Sequence, residues 1–251
     1  MILTDLHMHT NYCDGADTPE EMVLSAIALG MDCIGFSAHS YTFFDESYCM
    51  KKEKSADYRR EIAALKEKYK ETIRILCGIE QDYYSAEPVS AYDYVIGSVH
   101  YLKMDSVYIP VDESKDILLD AVEKYFHGDI YALVNEYFST IKNVVTQTNA
   151  DIIGHFDLIS KFNEDGSLFD ENDSRYIKAW QEALDELLSF DIPFEINTGA
   201  ISRSYRTFPY PNADMIQYIK NRHGTLILSS DSHSKHTLCY DFTKYESLIT
   251  N

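Results

Sequence analysis

Most of the nine histidines in this sequence come directly after short apolar runs. His7 and His9 follow the first run, and Asp231 and His233 follow the last one. Because residues i and i+2 of an extended strand point to the same side, each pair can face one cavity. Imidazole and carboxylate are ligands of Zn²⁺, Fe²⁺ or Mn²⁺, and the chain has no cluster of thiolates for a structural zinc site. We therefore expect a metal centre built from these residues.

Metal-capable side chains recur at the ends of all seven apolar runs. The candidate ligands are His7, His9, His39, Glu80, His100, His155, Asp231 and His233. One tetrahedral ion needs only about four ligands, so we expect two or three divalent ions, Zn, Mn or Fe. Glu195, at the end of the sixth run, is a further carboxylate that could bind an ion or only orient a neighbouring ligand. His127 and His223 precede glycines at predicted helix ends and are interpreted as structural.

The apolar runs are short and continuous, which is typical of buried parallel strands. We predict strands at residues 2–6, 33–37, 73–79, 94–99, 151–154, 193–196 and 226–229, and helices at 19–29, 56–69, 130–148, 173–190 and 212–221. Alternation of this kind indicates βαβ units. Seven strands favour an α/β barrel over an open sheet, although periodicity alone leaves the open sheet possible. In such barrels the site lies at the C-terminal ends of the strands.

Local signals refine the boundaries of these elements. Thr18 and Glu21 predict a capping box before the first helix, and Gly30 and Gly224 are expected to terminate helices. Residues 41–54 and 101–115 are polar and aromatic and are expected to be loops over the site. Because no Pro/Gly/Ser-rich linker interrupts the chain, we predict a single domain over residues 1–251.

Composition restricts the class of protein. The 251 residues include 41 acidic and 22 basic side chains, and the formal charge of −19 disfavours binding to nucleic acid. A hydrophobic content of 45% is enough for a globular core, and no run reaches the roughly 20 apolar residues of a membrane helix. Five scattered cysteines and an N-terminus without signal-peptide features favour a reduced, cytoplasmic protein. Oligomeric state is left open.

The chemical residues also form an ordered set of motifs. The segment Asp5-Leu6-His7-Met8-His9-Thr10, followed by Asp14-Gly15, resembles the opening motif of the PHP (polymerase and histidinol phosphatase) superfamily. Later pieces agree in order: Ser37-Ala38-His39, Gly78-Ile79-Glu80, Gly97-Ser98-Val99-His100, Gly154-His155-Phe156-Asp157, Asn197-Thr198-Gly199-Ala200-Ile201-Ser202-Arg203 and Asp231-Ser232-His233. The pattern is most similar to the histidinol-phosphate phosphatase branch. The resemblance implies a distorted (β/α)7 TIM-like barrel with a trinuclear metal centre.

The resemblance also implies which residues hold each ion. His7, His9, Glu80 and Asp231 would hold the first ion, Glu80 would bridge to a second ion completed by His100 and His155, and His39 and His233 would hold a third. Many relatives supply a further histidine to the third ion, where this chain offers Asp14. Asp14 could equally be a turn residue before Gly15. Glu80, Asp231 and His233 are the residues expected to take part most directly in catalysis.

The implied reaction is hydrolysis of L-histidinol phosphate to L-histidinol and phosphate. Metal ions lower the pKa of a bound water and stabilise an in-line phosphoryl transfer, so no protein nucleophile is needed. Arg203 is the main candidate for a phosphate clamp because guanidinium binds phosphate in a bidentate manner, and Lys161 is a second candidate. Aromatic side chains suited to the cationic part of the substrate are Tyr41, Phe43, Phe44 and Tyr101.

Two other functions remain open from the sequence. The chain could be a PHP phosphoesterase acting on another small phosphoester or on protein phosphotyrosine. It could also be a non-catalytic metal-binding scaffold, although such proteins usually lose ligands and nearly every position is filled here. A DNA-end exonuclease is disfavoured because the acidic surface would repel a phosphate backbone.

Overall fold

A computed structural model describes residues 3–249 and shows a nearly closed barrel of seven parallel strands flanked by helices. The barrel strands, which neighbour one another in chain order, are β1 (Thr4–Asp5), β2 (Cys33–His39), β3 (Arg74–Asp82), β4 (Tyr94–Ser98), β7 (Ile152–Ile153), β8 (Phe194–Asn197) and β9 (Leu226–Ser229). A separate antiparallel hairpin consists of β5 (Tyr101–Met104) and β6 (Val107–Pro110). The predicted α/β barrel is confirmed. Ile2, part of the first predicted strand, lies outside the described residues.

The helices cover the outside of the barrel. They are α1 (Pro19–Ala28), α2 (Ser55–Tyr69), α3 (Lys115–Phe126), α4 (Ile130–Ile141), α5 (Val144–Thr148), α6 (Ser174–Leu187), α7 (Gly199–Ser202), α8 (Ala213–Asn221) and α9 (Phe242–Ile249). One apolar cluster joins α4 and α6 to β7 and β8 through residues such as Tyr137, Leu184 and Phe194. Another joins α1 and α2 to β2 and β3 through Met22 and Ile62. Each fully buried large side chain contributes about 1.5–3 kcal/mol. Within residues 3–249, no helix is both long and apolar enough to span a bilayer.

The ring closes just beyond the ends of β1 and β9. The main-chain nitrogen of His9 donates to Ser232 O (2.7 Å), and the nitrogen of Ser232 donates to His7 O (3.2 Å). Below this bridge the buried Asp5 carboxylate accepts hydrogen bonds from the hydroxyl and the main-chain nitrogen of Ser230. Closure therefore places the two histidines that follow β1 beside the metal-capable residues that follow β9.

A tyrosine fills the inside of the barrel below the site. The single proton of Tyr94 Oη is shared between two main-chain acceptors, Leu6 O (2.5 Å) and Phe36 O (3.1 Å). A Cβ added to Gly35 would lie 2.5 Å from this hydroxyl, and one added to Gly78 would lie 2.3 Å from Cζ of the ring. These two glycines on β2 and β3 therefore make room for the tyrosine that ties three strands together.

The structure corrects several predicted boundaries. Residues 101–115, expected as a loop, contain the β5–β6 hairpin, whose Leu102 and Ile109 pair across the two strands and are buried in the core. The predicted helix 130–148 divides into α4 and α5, and Asn143 Nδ2 donates to Ser139 O at the break. The helices α3, α7 and α9 were not predicted.

The helix termini follow the expected chemistry with one exception. Thr18 and Glu21 form the predicted capping box, and Gly30 has a φ of 72° after α1. After α8, however, His223 and not Gly224 takes the left-handed conformation, with a φ of 60°. Gly224 is instead a crowded position, since an added Cβ would lie 2.5 Å from Leu188 Cδ2 and 2.7 Å from Ile219 Cγ2.

Candidate metal centre

The predicted metal ligands come together at the C-terminal end of the barrel. His39 and Glu80 lie on β2 and β3, and the other ligands lie just beyond the ends of their strands. They form four overlapping groups: His9, Asp14, His39 and His233; His7, Glu80 and His155; His7, His9 and Asp231; and His39, Glu80 and His100. Within each group one ligand atom of each residue lies within 4.8 Å of the others. All nine predicted positions occur in at least one group.

Glu80 lies between two pairs of histidines. Its Oε1 is 3.0 Å from His155 Nε2 and 3.4 Å from His100 Nε2. Its Oε2 is 3.4 Å from His7 Nε2 and 3.6 Å from His9 Nε2. The carboxylate is completely buried, each oxygen faces a different pair, and Oε2 also lies 2.7 Å from His39 Nδ1. This is the position required of a carboxylate that bridges two ions.

The spacing between His7, His9 and Asp231 fits the coordination of one tetrahedral ion. Asp231 Oδ1 lies 3.1 Å from His9 Nε2 and 3.7 Å from His7 Nε2. With metal–ligand distances of about 2.0–2.1 Å, adjacent ligands of a tetrahedral ion are about 3.3–3.4 Å apart. Both Nε2 atoms are buried and make no hydrogen bond within the described part of the chain. Because buried polar atoms normally have partners, these orphaned nitrogens fit metal ligands.

Asp14 holds the third group together. Its Oδ1 lies 3.6 Å from His39 Nε2, and its Oδ2 lies 3.2 Å from His233 Nε2. The carboxylate projects from a tight turn in which Gly15 N donates to Thr10 O (3.1 Å). A Cβ on Gly15 would lie only 2.5 Å from Thr10 N, so the turn requires glycine. Asp14 is thus both a turn residue and a member of the ligand cluster.

The carboxylates are held in the ionised form that metal binding requires. Burial opposes ionisation of Glu80, but His39 and His7 hold its pKa well below the usual value. Burial likewise opposes ionisation of Asp231, whose pKa is held well below its usual value by Arg203 and His7. Burial lowers the pKa of the His9 imidazole to about 3, and the neighbouring His39 adds to this effect. His9 is therefore neutral at pH 7, as a ligand must be.

Glu195 accepts hydrogen bonds from two of the predicted metal-binding histidines, His7 and His155. Its Oε1 accepts a hydrogen bond from His7 Nδ1 (2.7 Å), and both side chains are fully buried. Its Oε2 accepts from the main-chain nitrogen of His155 (3.1 Å) and from Asn197 Nδ2 (3.3 Å). Since Nδ1 of His7 carries the proton in this bond, Nε2 is left free to face Glu80 and Asp231. Of the two roles considered for Glu195, the geometry is that of an orienting carboxylate.

A cavity of about 350 Å³ opens beside the clusters and is lined by both predicted phosphate-binding residues. Arg203 Nη2 lies 3.2 Å from Asp231 Oδ2, and Nη1 lies 2.7 Å from His233 Nδ1. Lys161 Nζ donates to the carbonyl (2.7 Å) and the carboxylate (3.2 Å) of Asp112. Arg203 therefore contacts the ligand clusters directly, whereas Lys161 reaches the cavity as part of an ion pair.

The aromatic rim differs from the expectation. Tyr101 lines the cavity, and its hydroxyl donates to Asp45 Oδ2 (2.7 Å). Tyr48 also lines it and was not predicted. Three predicted aromatics are absent from the lining found among residues 3–249: Tyr41 donates to Glu46, Phe44 stacks on Tyr108, and Phe43 is 60% exposed.

Three further cavity or support residues escaped sequence reasoning. Asp112 was hidden in a stretch interpreted as a loop. Arg206 is only 6% exposed and was one arginine among many basic residues. Tyr210 lines the cavity but is one of 20 tyrosines, so no local signal separated it from packing residues.

The chain is similar to known proteins in sequence and in fold. The family profile of the PHP domain matches residues 5–199. A protein of Schizosaccharomyces pombe named "Probable histidinol-phosphatase" is 28% identical over 249 residues, covering 92% of this chain and 79% of the relative. The hisK structure from Listeria monocytogenes has a TM-score of 0.83 at 19% identity, covering 96% of this chain and 99% of that one.

A second structure contains ligands. It is the histidinol phosphate phosphatase of Lactococcus lactis in complex with Zn, L-histidinol and phosphate, with a TM-score of 0.72 at 23% identity, covering 99% of this chain and 92% of that one. At these identities the structures establish the barrel fold. The profile match spans more than three quarters of the chain and includes seven of the nine clustered ligand positions. On this evidence, the chain belongs to the PHP domain family.

Proposed function

We propose that the protein is a metal-dependent histidinol-phosphatase, which hydrolyses L-histidinol phosphate to L-histidinol and phosphate in histidine biosynthesis. The observation that carries this proposal is the buried Glu80 carboxylate, whose two oxygens face separate groups of histidines beside a cavity lined by Arg203. The name of the fission-yeast relative and the ligands of the Lactococcus lactis structure indicate the substrate.

The chain's ligand clusters suit up to three ions. By the family resemblance, His7, His9, Glu80 and Asp231 would hold the first, Glu80, His100 and His155 the second, and Asp14, His39 and His233 the third. All of these residues belong to the overlapping clusters, in which His39 also groups with Glu80 and His100. When bound, such ions supply a Lewis acid that lowers the pKa of water and offsets charge on a phosphoryl group. Glu80 and Asp231 are ionised and buried, so they can hold cations without first losing a proton.

Arg203 and Lys161 would bind the phosphoryl group. The guanidinium of Arg203 offers two parallel donors, which match two oxygens of a phosphate. Its position beside Asp231 and His233 brings these donors to the edge of the metal clusters. The ammonium of Lys161 supplies a second positive charge to the same cavity.

The cavity also has negatively charged and aromatic side chains for the leaving group, which carries an ammonium and an imidazole. Asp45, Asp112 and Glu113 line the cavity together with Tyr48 and Tyr101. Carboxylates and aromatic faces both attract organic cations. A cavity with both signs of charge suits a zwitterionic phosphomonoester better than a polyanion. As the reaction is biosynthetic, we place the protein in the cytoplasm.

The direct test is to load the purified protein with Mn²⁺ or Zn²⁺ and measure phosphate release. L-histidinol phosphate should be hydrolysed with a kcat/KM within the usual enzymatic range of about 10⁴–10⁸ M⁻¹s⁻¹, well above p-nitrophenyl phosphate and a phosphotyrosine peptide. Similar slow turnover of all three substrates would retain a phosphoesterase but reject this substrate. No turnover of any of the three substrates despite bound metal would favour the alternative of a non-catalytic metal-binding scaffold.

Variants test the site itself. Glu80→Gln should abolish turnover and lose at least one bound ion, and full activity at unchanged metal content would refute the bridging role. Arg203→Ala should mainly raise KM. Arg222→Ala is the matched control, because Arg222 pairs with Asp185 on α6, away from the cavity, and should leave KM unchanged.

A further inference from the structure

Tyr210 carries a buried hydroxyl and belongs to none of the metal clusters found in residues 3–249. The residue is 2% exposed and lines the cavity next to the clusters. Its hydroxyl makes no hydrogen bond with any residue between 3 and 249. Leaving a buried hydroxyl without a partner costs about 1–3 kcal/mol, so such a group at a cavity wall suggests a ligand.

The tyrosine is held rigidly. Its main-chain nitrogen donates to Asn197 O (3.0 Å), and Asn197 N donates back to Tyr210 O (2.7 Å) at the end of β8. The Arg206 guanidinium lies over the ring, 4.7 Å from its centroid. The ring of His155 is 6.4 Å away in an edge-on arrangement. With its backbone and ring both fixed, the hydroxyl is a preorganised group and not a mobile surface side chain.

Charges of both signs lie near the hydroxyl. Arg206 and Arg203 interact electrostatically with Tyr210, as do the carboxylates of Asp157 and Asp112, and Asp112 is paired with Lys161. Burial raises the pKa of Tyr210, although Arg206 opposes this effect. The hydroxyl therefore keeps its proton and can donate a hydrogen bond throughout the neutral range. A phosphoryl group offers oxygen acceptors for both this hydroxyl and the Arg203 guanidinium, which lines the same cavity.

We propose that Tyr210 is a substrate-binding residue whose hydroxyl donates a hydrogen bond to the phosphoryl group, alongside Arg203. The proposal rests on the proposed function only to the extent that the ligand is a phosphate monoester. Arg206 acts through Tyr210 as a positioning residue, because its guanidinium holds the ring and donates to Ser160 Oγ on the adjoining turn.

The test compares two Tyr→Phe variants of the metal-loaded protein. Tyr210→Phe removes only the hydroxyl and keeps the ring that Arg206 covers. Tyr176→Phe is the matched control, because Tyr176 is also a fully buried residue with an unpartnered hydroxyl, but it lies on α6 outside the cavity lining. Inorganic phosphate is the probe, measured by calorimetry and as a competitive inhibitor.

Tyr210→Phe should weaken phosphate binding by about 10-fold or more, as expected for a hydrogen bond to a charged group, and should reduce kcat/KM by a similar factor. Metal content should match the wild type, the melting temperature should be no lower than that of the wild type, and Tyr176→Phe should bind phosphate normally. Unchanged phosphate affinity in a folded, fully loaded Tyr210→Phe protein would overturn the proposal. An equal loss in Tyr176→Phe would do the same, since it would indicate a general packing effect.

The two proposals can fail separately. If the wild type binds phosphate but does not hydrolyse L-histidinol phosphate, the proposed substrate is wrong. The loss of phosphate affinity in Tyr210→Phe would still support the present inference. If L-histidinol phosphate is hydrolysed normally by Tyr210→Phe with unchanged phosphate affinity, the histidinol-phosphatase proposal stands and the role of Tyr210 is refuted.

Discussion

Replacing Glu195 should weaken metal binding although we assign it to none of the ions. Its carboxylate fixes the proton of His7 on Nδ1 across 2.7 Å and also accepts the main-chain nitrogen of His155. Glu195→Ala removes both bonds and lets the His7 imidazole rotate or change tautomer. Glu195→Gln keeps an acceptor oxygen for His7 but loses the negative charge.

The expected size follows from the burial of the pair. A hydrogen bond to a charged group contributes about 1.5–3 kcal/mol, and loss of a carboxylate behind a metal-binding histidine typically costs 10–100-fold in metal affinity. Since both side chains are fully buried, water cannot easily replace the lost acceptor. We expect about 10–100-fold weaker binding of the first ion in Glu195→Ala. Glu195→Gln should lose less, because a neutral hydrogen bond is roughly half as strong as a charged one.

The assay is metal affinity by competition with a chromophoric chelator, together with metal content and melting temperature. The control is Glu171→Gln, since Glu171 accepts hydrogen bonds from Asn163 and Asn212 and belongs to no ligand group found in residues 3–249. The control should leave metal affinity unchanged. If Glu195→Ala binds every ion with wild-type affinity, the argument that this carboxylate orients His7 is wrong.

Three further changes test other parts of the structure. Gly199→Ala would place a Cβ 2.7 Å from Asp231 Cβ, so it should destabilise the fold by about 1–3 kcal/mol and weaken metal binding. Gly224→Ala is the control: the added Cβ would be crowded by Leu188, away from the metal clusters, so only the melting temperature should change. Removing metal with a chelator should lower the melting temperature, because an ion at 100 times its Kd adds about 2.7 kcal/mol, and an unchanged value would argue against folded-state metal binding. Burial raises the pKa of the Cys77 and Cys13 thiols to about 12. Alkylation of these two thiols in the native protein should therefore be slow at pH 8, and its rate should rise about tenfold per pH unit up to that pKa. Rapid labelling of Cys77 or Cys13 at pH 7 would contradict this.

Local sequence signals were sufficient for the positions of the barrel strands along the chain and for the metal-capable residues that follow them. Parallel strands covered on both faces need continuous apolar runs, and β2 is buried along its whole length. The i, i+2 spacing of His7 and His9 is a property of any extended strand and can be recognised without a fold. Because barrel strands all end at one rim, the residues after them could be assigned to a common site before any distance was known.

Features created by long-range contacts could not be recognised in this way. The closure of the barrel depends on hydrogen bonds at Ser232, and room for the Tyr94 ring depends on Gly35 and Gly78, all distant in sequence. Helix α9 is too short to be distinguished from a polar tail by periodicity alone.

Long-range contacts also explain why the predicted ligands could be recognised from the sequence but the residues that support them could not. A histidine after a strand signals its chemistry by type and position, whereas Glu195 and Tyr210 acquire theirs from what lies across the barrel. Glu195 orients His7 over a separation of 188 residues, and the Tyr210 hydroxyl is isolated only because neighbouring elements bury it. Residue type and strand periodicity are local properties of the chain, but burial, pairing and electrostatic environment exist only once the barrel has closed.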